Sequence, residues 1–122
     1  MPYSIHKTDS DIIRVTYSGK VDLDDRKMAV DEACQSIQSA DHVRLLIDVR
    51  DITSNIPASS QKEFAQYLAA KETLKNAKVA VLHKHENNPN LLINAYAYAE
   101  GYVTVSFDNE YDAILWLDGE IN

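Results

Sequence analysis

Val43-Arg44-Leu45-Leu46-Ile47-Asp48-Val49 places Val43, Leu45, Ile47 and Val49 on one side of an extended chain and Arg44, Leu46 and Asp48 on the other. A period of two marks a β-strand that rests one face on a core. The pattern returns on both sides of this stretch. Ile13, Val15 and Tyr17 alternate with Arg14 and Thr16 in a strand predicted over Asp11–Tyr17. Val103, Val105 and Phe107 alternate with Thr104 and Ser106 in one predicted over Tyr102–Phe107. Parallel strands covered on both faces would instead read as continuous apolar runs. The alternation therefore predicts a sheet with its helices mainly on one face and the other face at least partly open.

Between these strands the spacing becomes helical. Asp22 reads as an N-cap, with Asp24 and Asp25 in a first turn whose dipole favours anions. Val30, Ala33, Cys34 and Ile37 then carry a helix to about Ser39. After a loop over Arg50–Pro57, Ser60 and Glu63 have the spacing of a capping box, and Phe64, Tyr67, Leu68 and Leu74 extend that helix to about Lys75. Lys78–His83 reads as a strand. Asn88-Pro89 opens a third helix, with Leu91, Leu92, Ala95, Tyr96 and Ala99 as its buried stripe and Gly101 as its stop. Asp108 or Asn109 caps a last helix carrying Ala113, Ile114, Trp116 and Leu117, ended by Gly119. With a first strand at Tyr3–Lys7, turned at Thr8-Asp9-Ser10, the order is β-β-α-β-α-β-α-β-α. After the hairpin, strict alternation implies parallel strands joined by right-handed crossovers: an α/β superhelix on a five-stranded mixed sheet.

Composition bounds the rest. A chain of 122 residues, 45% hydrophobic and 25% charged, fits one globular domain over residues 1–122. The longest apolar runs, such as Leu91-Leu92-Ile93, are too short to cross a bilayer, and the N-terminal residues lack the apolar core of a signal peptide. The single cysteine, Cys34, cannot form an internal disulfide, which points to a reducing cytoplasm. A net charge of −7 repels phosphate backbones, so nucleic acid is not an expected partner.

The element order, together with Tyr17-Ser18-Gly19-Lys20-Val21-Asp22, Leu45-Leu46-Ile47-Asp48-Val49-Arg50-Asp51-Ile52-Thr53 and Ala113-Ile114-Leu115-Trp116-Leu117, resembles the SpoIIAA-like group of STAS domains. That group has affinities to lipid-binding Sec14 (CRAL-TRIO) domains. The resemblance covers nearly the whole chain and implies a β-α superhelix used for regulation or ligand carriage rather than catalysis. In the sporulation antagonists a serine of an Asp-Ser-Ser-Gly motif opens the second helix and is phosphorylated. Here Pro57-Ala58-Ser59-Ser60-Gln61 supplies the two serines without the flanking acid and glycine.

Several candidate sites emerge. Ser59 and Ser60 could accept a phosphate at a helix N-terminus, or Ser60 could simply cap the helix. Asp48 and Arg50 follow one strand and His83, His85 and Glu86 follow the next, at the strand ends where open α/β sheets bind ligands. A His-x-His-Glu run without a remote partner makes a poor metal site, so no metal and no cofactor is expected. Cys34 lies on an apolar stripe and reads as core, and no nucleophile elbow or phosphate loop is present, so no catalytic residue is assigned. The third helix is apolar almost all round, which leaves Ile93, Ala97 and Tyr98 off its stripe. Such a helix touches something on both sides: its own neighbours, a second subunit as in a homodimer, a lipid-like ligand, or a membrane surface met peripherally. The leading expectation is a non-enzymatic module holding a small apolar or lipid-like ligand, with Phe64, Tyr67, Leu68, Leu92, Tyr96 and Tyr98 as its wall and Asp48, Arg50 and His83 beside it. The alternative is a protein-interaction switch that binds a regulatory protein and is controlled at Ser59 or Ser60.

Overall fold

The computed structural model describes residues 2–8, 10–37 and 43–119. Five strands form one sheet: β1 (Tyr3–Lys7), β2 (Ile13–Lys20), β3 (Arg44–Ser54), β4 (Lys78–Leu82) and β5 (Val105–Phe107). They lie side by side in chain order; β1 is antiparallel to β2 and every other pair is parallel. The helices are α1 (Leu23–Gln35), α2 (Ala58–Ala69), α3 (Leu91–Ala99) and α4 (Glu110–Leu117), with one 3-10 turn at Glu72–Leu74.

Strand alternation sorts the side chains. Ile13, Val15, Tyr17, Leu45, Val49, Val79 and Val81 face a core closed by Ala29, Val30 and Ala33 of α1, Phe64, Ala65 and Leu68 of α2, and Ile93 and Ala97 of α3. Leu46, Ala80 and Leu82 face the other way, against Ala113 and Leu117 of α4. Three helices therefore share one face, as the alternation predicts, while α4 covers part of the opposite face. There Phe107 and Trp116 pack with ring centroids 5.8 Å apart.

Element ends depart from expectation for local reasons. β3 continues to Ser54, through residues expected to be loop, because Ile52 is buried and Ser18, Gly19 and Lys20 of β2 keep pairing with it beyond a bulge. β5 begins only at Val105, since its pairing is confined to Ala80–Leu82 of β4. The predicted end of α1 at Ser39 lies outside the described residues; the helix ends at Gln35. Its start is as expected: Asp22 Oδ1 accepts from Asp25 N at 2.8 Å, and Asp25 Oδ2 accepts from Asp22 N at 3.1 Å.

Ser60 is not the cap of α2. The helix opens at Ala58 after Pro57, which makes no side-chain capping bond, so Ser60 already lies inside the first turn. Glu63, the other half of the expected box, instead accepts from Lys27 Nζ of α1 at 2.7 Å. α2 also ends at Ala69, short of Lys75, and the 3-10 turn follows. α3 starts two residues later than Asn88-Pro89 suggests, because Asn88 Oδ1 accepts from Asn90 N and closes a turn first. Its end is a Schellman motif: Gly101 N donates to Tyr98 O and Tyr102 N to Ala97 O, both at 2.9 Å, with Gly101 at φ +85°.

The phase of α3 is the main correction. Its buried line is Asn90, Ile93 and Ala97, not Leu91, Leu92, Ala95 and Ala99. Ile93 is 1% exposed, whereas Leu91 is 68%, Leu92 37% and Tyr98 71% exposed. The helix does carry more apolar surface than its own packing absorbs: Tyr98 is exposed off the stripe, as expected, but Leu91 and Leu92 are exposed on the face expected to be inward.

Candidate functional site

The exposed face of α3 borders a groove of about 350 Å³ lined by Asn55, Gln61, Asn88, Pro89, Leu91, Leu92 and Ala95. Its wall is mostly hydrocarbon from α3; its polar residues are Asn55 of the β3–α2 loop, Gln61 of α2 and Asn88 of the β4–α3 loop. A more polar recess of about 270 Å³, bounded by residues 52–55 and 87–89, adjoins it through the shared Asn55, Asn88 and Pro89. Both hollows sit at the C-terminal ends of β3 and β4, the side of a parallel sheet where α/β proteins bind ligands.

Below the groove, the buried stripes of α1, α2 and α3 each begin with a polar residue. Arg26 precedes Ala29, Val30 and Ala33; Gln61 precedes Phe64, Ala65 and Leu68; Asn90 precedes Ile93 and Ala97. Arg26 is fully buried. Its Nη1 donates to Asn90 Oδ1 at 2.9 Å and its Nη2 to Asn55 Oδ1 at 3.3 Å. Its guanidinium carbon lies 5.3 Å from the Tyr17 ring centroid and 5.7 Å from that of Phe64. Amide oxygens and aromatic faces, rather than a carboxylate, are its described partners. Burial pushes its pKa down from the usual guanidinium value, and arginine remains charged throughout. Asn55 Nδ2 donates to Pro89 O at 2.7 Å, so Arg26 and Asn55 together tie α1, the β3–α2 loop and the start of α3 into one polar cluster.

The expected wall residues are not brought together. Phe64 and Leu68 are core. The void they help enclose between sheet and helices is about 20 Å³, room for about one water. Tyr67 turns toward α1, where its hydroxyl donates to Asp31 Oδ1 at 2.6 Å and Lys71 lies 4.4 Å over its ring. Tyr96 is half-buried and Tyr98 exposed; of the six, only Leu92 lines the groove.

Asp48 and Arg50 belong to a different structure on the α4 face. Asp48 Oδ2 accepts from Arg14 Nη2 and Arg50 Nη2, each at 2.8 Å, and Glu110 Oε1 accepts from the same two nitrogens at 2.8 and 3.2 Å. Two cations and two anions thus form a closed ring that joins β2 and β3 to the first residue of α4. Burial pushes the Asp48 carboxyl up, but the bonds from Arg50 and Arg14 outweigh it and hold its pKa below the usual carboxylate value. The hydrogen bond from Arg14 holds Glu110 low as well.

His83 Nδ1 lies 2.7 Å from Lys84 O, and His85 Nδ1 lies 2.6 Å from Asp108 Oδ2, whose pKa that contact lowers. Glu86 is exposed. Among the described residues no three His, Cys, Asp or Glu side chains converge as a metal site would require. Cys34 is half-buried, and burial raises its pKa. Ser59 is exposed and Ser60 half-buried in the first turn of α2. No helix among the described residues is long and apolar enough to cross a membrane.

No family model matches the chain, and no curated protein matches it. Among solved structures it is similar to an uncharacterized protein of the DUF3478 family with a SpoIIAA-like fold, from Shewanella loihica PV-4. The two superpose with a TM-score of 0.60 over 94% of this chain and 91% of that one. The fold is SpoIIAA-like. At 17% identity the likeness is one of fold. What distinguishes this SpoIIAA-like chain must come from its own side chains: the α3 groove, the buried Arg26 cluster and the Asp48 ring.

Proposed function

We propose that this SpoIIAA-like domain is a non-enzymatic binding module whose α2–α3 groove takes an amphiphilic small molecule, its chain along Leu91, Leu92 and Ala95 and its head toward the recess at Asn55 and Asn88. The observation that carries this reading is the exposed face of α3, where Leu91 and Leu92 border a groove that passes into a polar hollow. Apolar surface bordering a concave site with a few polar groups at one end suits a molecule with one greasy and one polar end. Native mass spectrometry of untreated protein, with titration of the dye 1-anilinonaphthalene-8-sulfonate, tests it. A co-purified amphiphile or saturable dye binding that Leu92→Glu removes is the expected result. A clean apo mass with no saturable binding would overturn it, and light scattering with liposome sedimentation would then show whether a second copy or a bilayer covers α3 instead.

A second reading keeps Ser59, exposed at the start of α2, as a phosphate acceptor that regulates docking of a partner protein. Phosphopeptide mapping from the source cell, with partner binding compared for Ser59→Asp, tests it; an unmodified serine and unchanged binding would end it.

A further inference from the structure

Although 25% of the chain is charged, residues 52–61 and 87–99 contain no Asp, Glu, Lys or Arg, and they are the two longest such stretches in the sequence. The fold brings them together beyond the ends of β3 and β4. Every residue that lines the groove, and every residue that lines the adjoining recess, comes from these two stretches. The groove offers hydrocarbon from α3. The recess offers Thr53, Ser54 and Asn87, all three exposed and within reach of a ligand. Asn55 and Asn88 line it too, but they are committed to the scaffold: Asn55 bonds Arg26 and Pro89 O, and Asn88 Oδ1 accepts from Asn90 N.

We propose that the ligand of this site is an uncharged amphiphile whose head carries several hydroxyls, of the sugar or glycerol class. The inference rests on the groove being a ligand site, as argued above, and adds the chemistry of the head. Hydroxyls and amides each donate and accept, and so does every hydroxyl of a polyol, so the two sets match. A charged head would shed water in the recess and meet no lining group of opposite charge. The charges nearby select neither sign. Lys20 pairs in register with Ser54 and Lys84 bridges to Asn87, while Asp51 and Glu86 adjoin the same stretches; all four are exposed, where solvent and salt screen them. Arg26 is a cation beneath the site, and its Nε has no partner among the described residues. It is fully buried, lines neither hollow and turns its terminal nitrogens to Asn55 and Asn90, so a head in the recess does not touch it.

Calorimetric titration of the full chain, below micelle-forming concentrations, compares octyl glucoside with 1-octanol, octyl sulfate and octyltrimethylammonium. The glucoside is expected to bind about three- to tenfold tighter than octanol, the range one net hydrogen bond supplies, and tighter than either ion. Thr53→Val combined with Ser54→Ala is expected to remove most of the advantage over octanol. If that variant fails to fold, the ranking on the wild-type chain decides alone. Equal binding of glucoside and octanol, tighter binding of either ion, or an advantage undiminished in the variant would overturn the polyol head while leaving the groove intact as a ligand site. Binding of none of the four would overturn both.

Discussion

Arg26 Nη1 and Asn90 Oδ1 lie 2.9 Å apart, so an arginine in the first turn of α1 holds the residue from which α3 begins, 64 positions along the chain. Among the described residues no carboxylate takes part. The arrangement depends on amides and rings that all belong to neighbouring elements, and losing either amide leaves a buried guanidinium nitrogen without its acceptor.

Arg26→Ala is therefore expected to destabilise the chain by about 2–4 kcal/mol in urea denaturation, through lost packing and an orphaned Asn90 Oδ1. Arg26→Met, which keeps most of the volume and removes the buried charge, is expected to cost about half as much. Hydrogen exchange at the start of α3 should rise in both. A change under about 0.5 kcal/mol for Arg26→Ala would contradict the anchoring role.

The Asp48 ring makes stability depend on acid. Asp48 and Glu110 both have folded-state pKa values below their ordinary ones. Their contribution is complete above the unfolded carboxylate range near pH ~4 and disappears as pH falls through the lower folded values. Asp48→Asn should lower stability at neutral pH by about 1–3 kcal/mol, leaving Arg14 and Arg50 to share Glu110. It should also flatten the decline below pH ~4. An acid profile unchanged in the variant would mean the ring is not its source.

The rotation of α3 about its axis is open to direct measurement. Ile93→Ala should cost about 2–4 kcal/mol. Leu91→Ser and Tyr98→Ser, on the exposed face, should each change stability by about 0.5 kcal/mol or less. Comparable losses at Leu91 and Ile93 would place the buried line elsewhere.

Ser60→Ala should change stability by about 0.5 kcal/mol or less, because α2 opens at Pro57 without a side-chain cap. A loss of about 1 kcal/mol or more, as removal of a true cap produces, would restore the capping-box reading.

Most of the fold was legible because the strands speak in a two-residue rhythm and their connections are short. The position of α4 was legible as well, in the strand it covers. Val79-Ala80-Val81-Leu82 is apolar at every position, as a strand covered on both faces must be, and α4 is what covers its second face. The rotation of α3 was not legible. In Leu91-Leu92-Ile93-Asn94-Ala95-Tyr96-Ala97-Tyr98-Ala99 nearly every residue is apolar, so periodicity selects no face; the decision comes from Arg26, which binds Asn90 and turns Ile93 and Ala97 inward with it. Arg26 left a trace of its own. It sits where the stripe continued by Val30, Ala33 and Ile37 calls for an apolar side chain, and a charge on that line is the mark of a buried polar junction. Gln61, one step ahead of Phe64, Ala65 and Leu68, carries the same mark. The Asp48 ring left none, because Arg14 and Glu110 are 96 residues apart and only the sheet brings them together.

The strand order β1-β2-β3-β4-β5 has a consequence for how the molecule is made. Each strand leaving the ribosome finds the edge it must join already in place, and none has to slip between two others laid down before it. Pairing of this kind closes short loops in succession, which keeps the search local. α4, which follows the fifth strand, locks Arg14 and Asp48 from 96 residues beyond Arg14, so a nascent chain that has not yet reached Glu110 leaves two arginines sharing a single acid.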